Sequence, residues 1–547
     1  MKRGLFTISR KTTVWLLIVV ALLCAVGFRV AGIQHKYFMD HDEPITYLQS
    51  TGQALDYVAL NEKMSPPVAE WAPAAEWQRF IEVQEPFVFG DISLGLARAD
   101  IHPPLYFWLL HVWMVLFGSG IWVGPAFNTF IAVLMIGALF MLGRRVLGDD
   151  VLAASVCLVW ALIPPAIESS LIARQYDLMA LFGLLLFWEV LRDSDPDRHP
   201  GWTDHVLLAL ISAAGVLTHY HFAIPAVGAA ILGTWRSWRG DRRRIRTMFA
   251  SFVGGAVVFL ALNPGLLEVV KRQQEQASPM SAGAFRLRVE ATVDLLRGAV
   301  GLNTGGVYVL RRVLGVLGIP VAWVLALVGV GSGALAAFTR RGRSIVRRVA
   351  ASVTEPDSRP VLFLLAWVAG VIIALYLGFV SPGHAMKPRY LALAWALFAF
   401  VPVFAVRRFR PALRVLLVFC LWLAVADTFT FVRTRSGDPA VPVFSSAGHI
   451  VTDDLARAQL LRYVAVMPAD TPVFADWRGS LVETPEAWID ELEVGDIVIL
   501  SDAYQPTDTP KEAVLELLDA RWDVVRVGKH SVPDAVYELA LQGSITD

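Results

Sequence analysis

Eleven mostly apolar stretches, each near the length needed to cross a bilayer, leave few folds open to this chain. They lie near 13–33, 121–142, 151–168, 176–192, 204–218, 221–236, 247–267, 309–338, 360–380, 389–406 and 412–432. A helix crossing the hydrocarbon core needs about 20 predominantly apolar residues. With 56% hydrophobic and 18% charged residues in 547, the chain carries more apolar surface than a soluble fold can bury. The surplus must face lipid, so the expected fold is a polytopic α-helical membrane protein of about eleven transmembrane helices. The run at 13–33 exceeds a signal-peptide core and lacks a small-x-small cleavage site, so it is read as the first span.

Net charge is zero, with 48 basic and 48 acidic residues, and gives no reason to expect a nucleic-acid partner. The distribution of charge says more. Lys2, Arg3, Arg10 and Lys11 precede the first span, and arginines crowd four later loops: Arg144/Arg145, Arg236 to Arg246, Arg340 to Arg348 and Arg407 to Arg414. Lys and Arg accumulate in cytoplasmic loops. All five clusters share one side only if the short apolar segment 103–118, broken by His111, does not cross. That segment is therefore expected to be an interfacial helix, rich in the Trp and Tyr that favour this depth. The opposite, external side then receives the loop 34–120, the turns 169–175 and 219–220, the loop 268–308, the turn 381–388 and everything after 432.

The chain from 433 to 547 changes character. Charges run throughout, and strand-like runs such as Thr471–Asp476 and Asp496–Asp502 alternate with a helical pattern at Lys511–Ala520. This predicts a small external α/β domain beyond a membrane domain spanning 1–432. Cys24, Cys157 and Cys420 each sit in an apolar run and carry no assigned chemistry.

The residues with chemical potential fall on the external side. MDHDEP places Asp40, His41, Asp42 and Glu43 just after the first span; such acids are either solvated loop residues or, near lipid, a general base or metal ligands. His102 precedes two prolines that start the interfacial helix; it is either a polar anchor or a partner for an anion. Arg174, with Tyr176 and Asp177, lies at an external turn against the prevailing arginine bias, so it pairs either with Glu168 or Asp177 or with an anionic ligand. His219 and His221 are two residues apart, which on a helix separates their faces and argues against a dedicated metal site. His384, Lys387, Arg389 and Tyr390 form a cationic cluster at the outer end of the 389–406 span. Cations beside an acidic loop suit a phosphate-bearing ligand held next to a base.

These motifs, in order, are the Asp42-Glu43 pair, HPPLYFWLLHVW, ARQYDLMALF, THYHF and PRYLALA. Together they resemble the GT-C glycosyltransferases that use lipid-linked sugars, specifically bacterial relatives of protein O-mannosyltransferases and the lipid A aminoarabinose transferase. The resemblance covers about 1–432. It implies an inverting transfer of a sugar from a polyprenyl-phosphate donor to a glycan, lipid or protein acceptor at the periplasmic face of the bacterial inner membrane. It makes Asp42, with Glu43, the catalytic carboxylates. It puts His102, Arg174, Tyr176, His219, His221, Lys387, Arg389 and Tyr390 around donor phosphate or sugar. His102 stands where some relatives carry a phosphate-binding Lys. No cofactor is implied; a divalent cation could sit at the acidic loop, whose oxygen ligands select no particular metal. The alternatives are a polymerase or ligase of lipid-linked oligosaccharide, and a transporter. A transporter would place ionisable residues near the bilayer midplane, where this sequence has almost none.

Overall fold

A computed structural model describes residues 9–238, 241–276, 289, 292–293, 340–379, 387–408, 410–436, 447–501, 509–527 and 535–541. Every expected span carries a helix except 309–338, which lies outside the described residues, as do most of the loop 268–308 and His384. Among the described residues, five helices are long and apolar enough to cross a membrane by themselves. A sixth forms if Asp150–Ala161 and Pro164–Ser170, bent by 62°, count as one span. Pro164 and Pro165 cannot donate the backbone hydrogen bonds that would continue the first of these helices, so the chain breaks there. The result is a polytopic helical membrane protein with a small C-terminal sheet region.

The two ends of the bundle differ sharply. At one end Arg10 pairs with Asp149 at 2.8 Å and Arg144 with Asp150 at 2.8 Å, while Arg145 reaches Asp195. Arg236 donates to Ser194 and Arg244 to the Arg198 carbonyl, drawing the arginine-rich loop 236–246 to the same end. Helix Val123–Leu147 finishes among these arginines and starts at the other end, where the Gly124 N–H donates to the Tyr47 hydroxyl at 2.7 Å.

The segment 103–118 begins and ends at that second end. Its helix, Leu105–Phe117, has 13 residues and would extend only about 20 Å. Tyr106 donates to Asn128 near the start of Val123–Leu147, and His111 bonds the Ser50 carbonyl and Phe87 N–H of the first loop. It therefore lies along the bundle end rather than crossing.

Elements of the bundle approach closely where one side is small, as expected in lipid, where packing rather than the hydrophobic effect drives helix association. A Cβ added at Gly124 would lie 2.3 Å from the Ala173 Cβ, and one at Gly183 would lie 2.5 Å from Leu393. Arg29, near the end of the first span, is fully buried. It donates to Ser170 and to the Ala25 and Ala166 carbonyls, which ties that span to the turn before Arg174.

The C-terminal region builds a six-stranded sheet in the order β1-β3-β2-β4-β6-β5. Strands β2 (Ile450–Thr452), β3 (Pro472–Ala475) and β4 (Ile497–Leu500) are parallel at its centre. β5 (Asp523–Val527) and β6 (Ala535–Ala540) are antiparallel additions. Ile497 to Leu500 are buried throughout, the unbroken apolar pattern of a strand covered on both faces. One edge strand comes from elsewhere: β1 (Trp71–Pro73) belongs to the first loop and pairs antiparallel with β3. Pro73 is tolerated because an edge strand can spare its missing N–H.

Candidate active site

The site forms where the first loop, the turn before helix Tyr176–Asp193 and the start of the 388–406 span meet. Glu43 organises it. The residue is fully buried, and its Oε1 accepts from the Ala173 N–H at 2.8 Å. Its Oε2 accepts from Lys36 at 2.6 Å and from the Asp40 N–H at 2.5 Å, and Lys36 also reaches the Leu171 carbonyl. Both oxygens are thus committed to protein partners, and one carboxylate clamps the acidic loop to the turn that carries Arg174.

Glu43 also opens helix Glu43–Ser50, which places Asp42 at its N-cap. Asp42 pairs with Arg389, which also faces Asp40 at 3.4 Å. Arg389 sits in the turn Pro388–Leu391, whose first residue supplies a preset helical φ. Arg174 approaches from the other side, donating to the Asp42 carbonyl at 3.4 Å and the Thr46 hydroxyl at 3.0 Å. Burial pushes the Asp42 carboxyl up, but Arg174 and Arg389 outweigh it and hold the group well below the usual carboxylate range. Asp40 is lowered in the same way, burial being opposed by Arg389 and Lys387.

Neither Glu168 nor Asp177 binds the Arg174 guanidinium. Asp177 turns to Ser169 and Ser170. The third partner of Arg174 is His102, whose Nε2 lies 3.1 Å from its Nη2. A guanidinium can only donate, so Nε2 accepts, and the Nδ1 proton goes to Asp100 at 3.0 Å. His102 is therefore oriented by Asp100 and braces Arg174.

His219 and His221 come together because residues 220–222 form a 3-10 turn rather than a helix; their rings are 4.5 Å apart, and His219 Nδ1 accepts the His221 N–H. Burial above all, and with it the nearby Arg174 guanidinium, lowers the His219 pKa and favours its neutral form. The rings of Tyr176 and His219 lie 5.2 Å apart and those of Tyr176 and Tyr390 5.4 Å apart, while the Arg389 guanidinium lies 5.8 Å from the Tyr390 ring. These contacts bring Asp42, His102, Arg174, Tyr176, His219, His221, Arg389 and Tyr390 close to one another at this end of the bundle. Lys387 lies beside them, its charge acting on Asp40 and Asp42.

Asp100 and Thr46 have roles that sequence reasoning passed over. Asp100 was legible in part, since Asp100-x-His102 is a local pair; Thr46 has no distinguishing signal. Two atoms stand out: the Nε of Arg174 and the Nε of Arg389 are buried without a partner among the described residues. A buried cationic donor left open is costly unless a ligand meets it. Among the described residues no group of three or more His, Cys, Asp and Glu side chains could hold a metal ion.

Comparison with known proteins agrees with this architecture. Residues 101–267 match the model of a family described as dolichyl-phosphate-mannose-protein mannosyltransferase. The apo structure of ArnT from Cupriavidus metallidurans is similar with a TM-score of 0.53 and 14% identity, covering 96% of this chain and 97% of that one. Its structure bound to undecaprenyl phosphate gives 0.50 and 13% over the same shares. At such identities the likeness is one of fold. No curated protein matches the sequence.

Proposed function

We propose that this chain, a membrane glycosyltransferase of the GT-C fold, moves a sugar from a polyprenyl-phosphate carrier to a hydroxyl of a glycan, lipid or protein acceptor, with inversion at the anomeric carbon. The observation that carries the reading is the ionised Asp42 held against Arg389 and Arg174, two buried guanidiniums whose Nε donors are open. The undecaprenyl phosphate bound in the similar ArnT structure supports a carrier of that class.

The chemistry follows from the residues. A phosphate is already a good leaving group, so the protein has to take a proton from the incoming hydroxyl and stabilise charge on the departing phosphate. Asp42 accepts the hydroxyl proton as the acceptor oxygen attacks the anomeric carbon from the face opposite the phosphate. The bond between that carbon and the phosphate oxygen breaks, and its electron pair leaves with the phosphate. The open Nε donors of Arg174 and Arg389 receive that charge, so phosphate can bind without displacing Asp42. Glu43 fixes the loop, His102 braces Arg174, and Lys387 adds positive potential. Tyr176, Tyr390, His219 and His221 wall the sugar. We place the site at the periplasmic face of the bacterial inner membrane, because Arg10, Arg144/Arg145 and the loop 236–246 gather at the opposite end.

The test is reconstitution of the purified protein with polyprenyl-phosphate sugars and mass spectrometry of the products, alongside cell-envelope glycans from cells with and without it. Release of polyprenyl phosphate coupled to a heavier acceptor is the expected result. An unchanged envelope profile together with no transfer from any lipid-phosphate sugar would refute the reading.

A further inference from the structure

Resting on that transferase reading, we infer that the acceptor site is a cavity between the first loop and the C-terminal region, and that its ligand is a saccharide. The cavity measures about 900 Å3, within the usual range for ligand sites. Leu48, Tyr57 and Asn61 of the first loop contribute to its wall, as do Leu455 and Trp477 of the C-terminal region. The two parts are fastened together: Tyr57 donates to the Leu455 carbonyl at 3.0 Å, Gln459 to the His41 carbonyl at 2.9 Å and Arg462 to the Met39 carbonyl at 3.2 Å.

Four buried polar atoms on lining residues have no partner among the described residues: Gln49 Oε1, Asn61 Oδ1, Asp100 Oδ2 and Arg272 Nη2. Gln49 is only 2% exposed, and the single hydroxyl proton of neighbouring Tyr57 is already committed to Leu455. Gln49, Asn61, Asp100 and Arg272 thus give the cavity wall amide, carboxylate and guanidinium groups with hydrogen-bonding capacity that a polar ligand can complete. Three acceptors and one donor, with the aromatic rings of Tyr57 and Trp477 alongside, complement a ring compound that presents several hydroxyl or amino donors and an apolar face. An extended peptide would instead need a free strand edge for a main-chain ladder. The edge strands of the sheet are β1 and β5, and neither contributes to the lining.

Position links the cavity to the reaction. Ile45, Leu48 and Gln49 belong to the helix capped by Asp42, so the lining begins about one helical turn from that carboxylate. Asp100 joins the two sites directly, since its Oδ1 holds His102 while its Oδ2 is left open.

The experiment introduces Val58→Cys at the partly exposed cavity wall of the full-length protein in nanodiscs and measures maleimide labelling. The parent protein, with its own three cysteines, gives the background. The probes are maltose, chitobiose, glucosaminyl-glucosamine and a heptapeptide rich in Ser and Thr. The expected result is labelling slowed about threefold or more by at least one saccharide at about twice its Kd or above. That protection should diminish when Gln49→Met or Asn61→Leu is added. Protection by none of the saccharides, or by the peptide alone, would overturn the proposal, and this arm does not depend on how the second substitutions fold. Labelling reads occupancy without turnover. Transfer activity with an unprotected cavity sinks the acceptor site alone, whereas a protected cavity in a protein that transfers nothing sinks the transferase reading and leaves a saccharide site.

Discussion

Replacing Asp42 with Asn tests the proposed base most directly, because the structure separates its effect on chemistry from its effect on binding. The amide is nearly the size of the carboxylate and can still accept from Arg389, and the side chain is about a quarter exposed, so folding should survive. The network around Glu43, Lys36 and Ala173 is untouched. Asn cannot take the acceptor proton, and a positioned general base is worth about 10²–10⁴ in rate. At about 1.4 kcal/mol per decade, the transition state loses roughly 2.7–5.5 kcal/mol. The donor side should move the other way or not at all. Arg389 loses its charged partner and keeps only Asp40, at 3.4 Å, so its positive charge is less neutralised where donor phosphate would bind. Steady-state kinetics in nanodiscs, with donor varied at fixed acceptor, should show kcat falling about 10²-fold or more with donor KM unchanged or lower. A kcat within about tenfold of wild type, or a loss expressed entirely in donor KM, would refute the assignment of Asp42 as base.

Arg389→Ala should act on the donor: losing one charged hydrogen bond of about 1.5–3 kcal/mol raises donor KM roughly 10–150-fold, and an unchanged donor titration would count against the phosphate clamp. The pH profile follows from the depressed carboxylates. A folded pKa below the unfolded one means that Asp42 and Asp40 contribute stability fully above the unfolded pKa of about 4, and lose it as pH falls through the folded value. The kcat/KM profile should therefore show no acid limb from Asp42 between about pH 5 and 8, and Arg389→Ala should move that limb upward; a wild-type acid limb centred near 6 and abolished by Asp42→Asn would contradict this. Gly124→Ala forces a methyl to within 2.3 Å of the Ala173 Cβ and 3.0 Å of the Tyr47 hydroxyl, so overpacking should cost about 1–3 kcal/mol and disturb the turn bearing Arg174. Gly137→Ala in the same helix meets nothing within 4 Å, and equal thermal stability of the two variants would show that the contact is unimportant.

Hydrophobic runs long enough to cross lipid announce themselves without any partner, so the helical membrane architecture was legible from the sequence. The arginine pattern likewise separated the bundle's ends, because sidedness depends on counts of charge near span termini rather than on packing. It also laid Leu105–Phe117 along the bundle end. The alternation of strand and helix after 433 announced a sheet, but not that Trp71–Pro73 would supply an edge strand, since pairing across about 400 residues leaves no local trace.

Candidate residues were readable as types, but not the division of labour between them. Asp42 and Glu43 are adjacent and chemically alike. Only tertiary structure turned one into a buried clamp with both oxygens filled and left the other between two guanidiniums. Arg174 had acidic neighbours in sequence, yet the fold gave it Thr46 and His102. Which partner a charge takes depends on where distant backbone segments bring their groups, and on how much water burial removes. Composition and period determined that this chain lives in a membrane; three-dimensional packing decided which of two adjacent carboxylates is filled by protein donors and which lies between two guanidiniums.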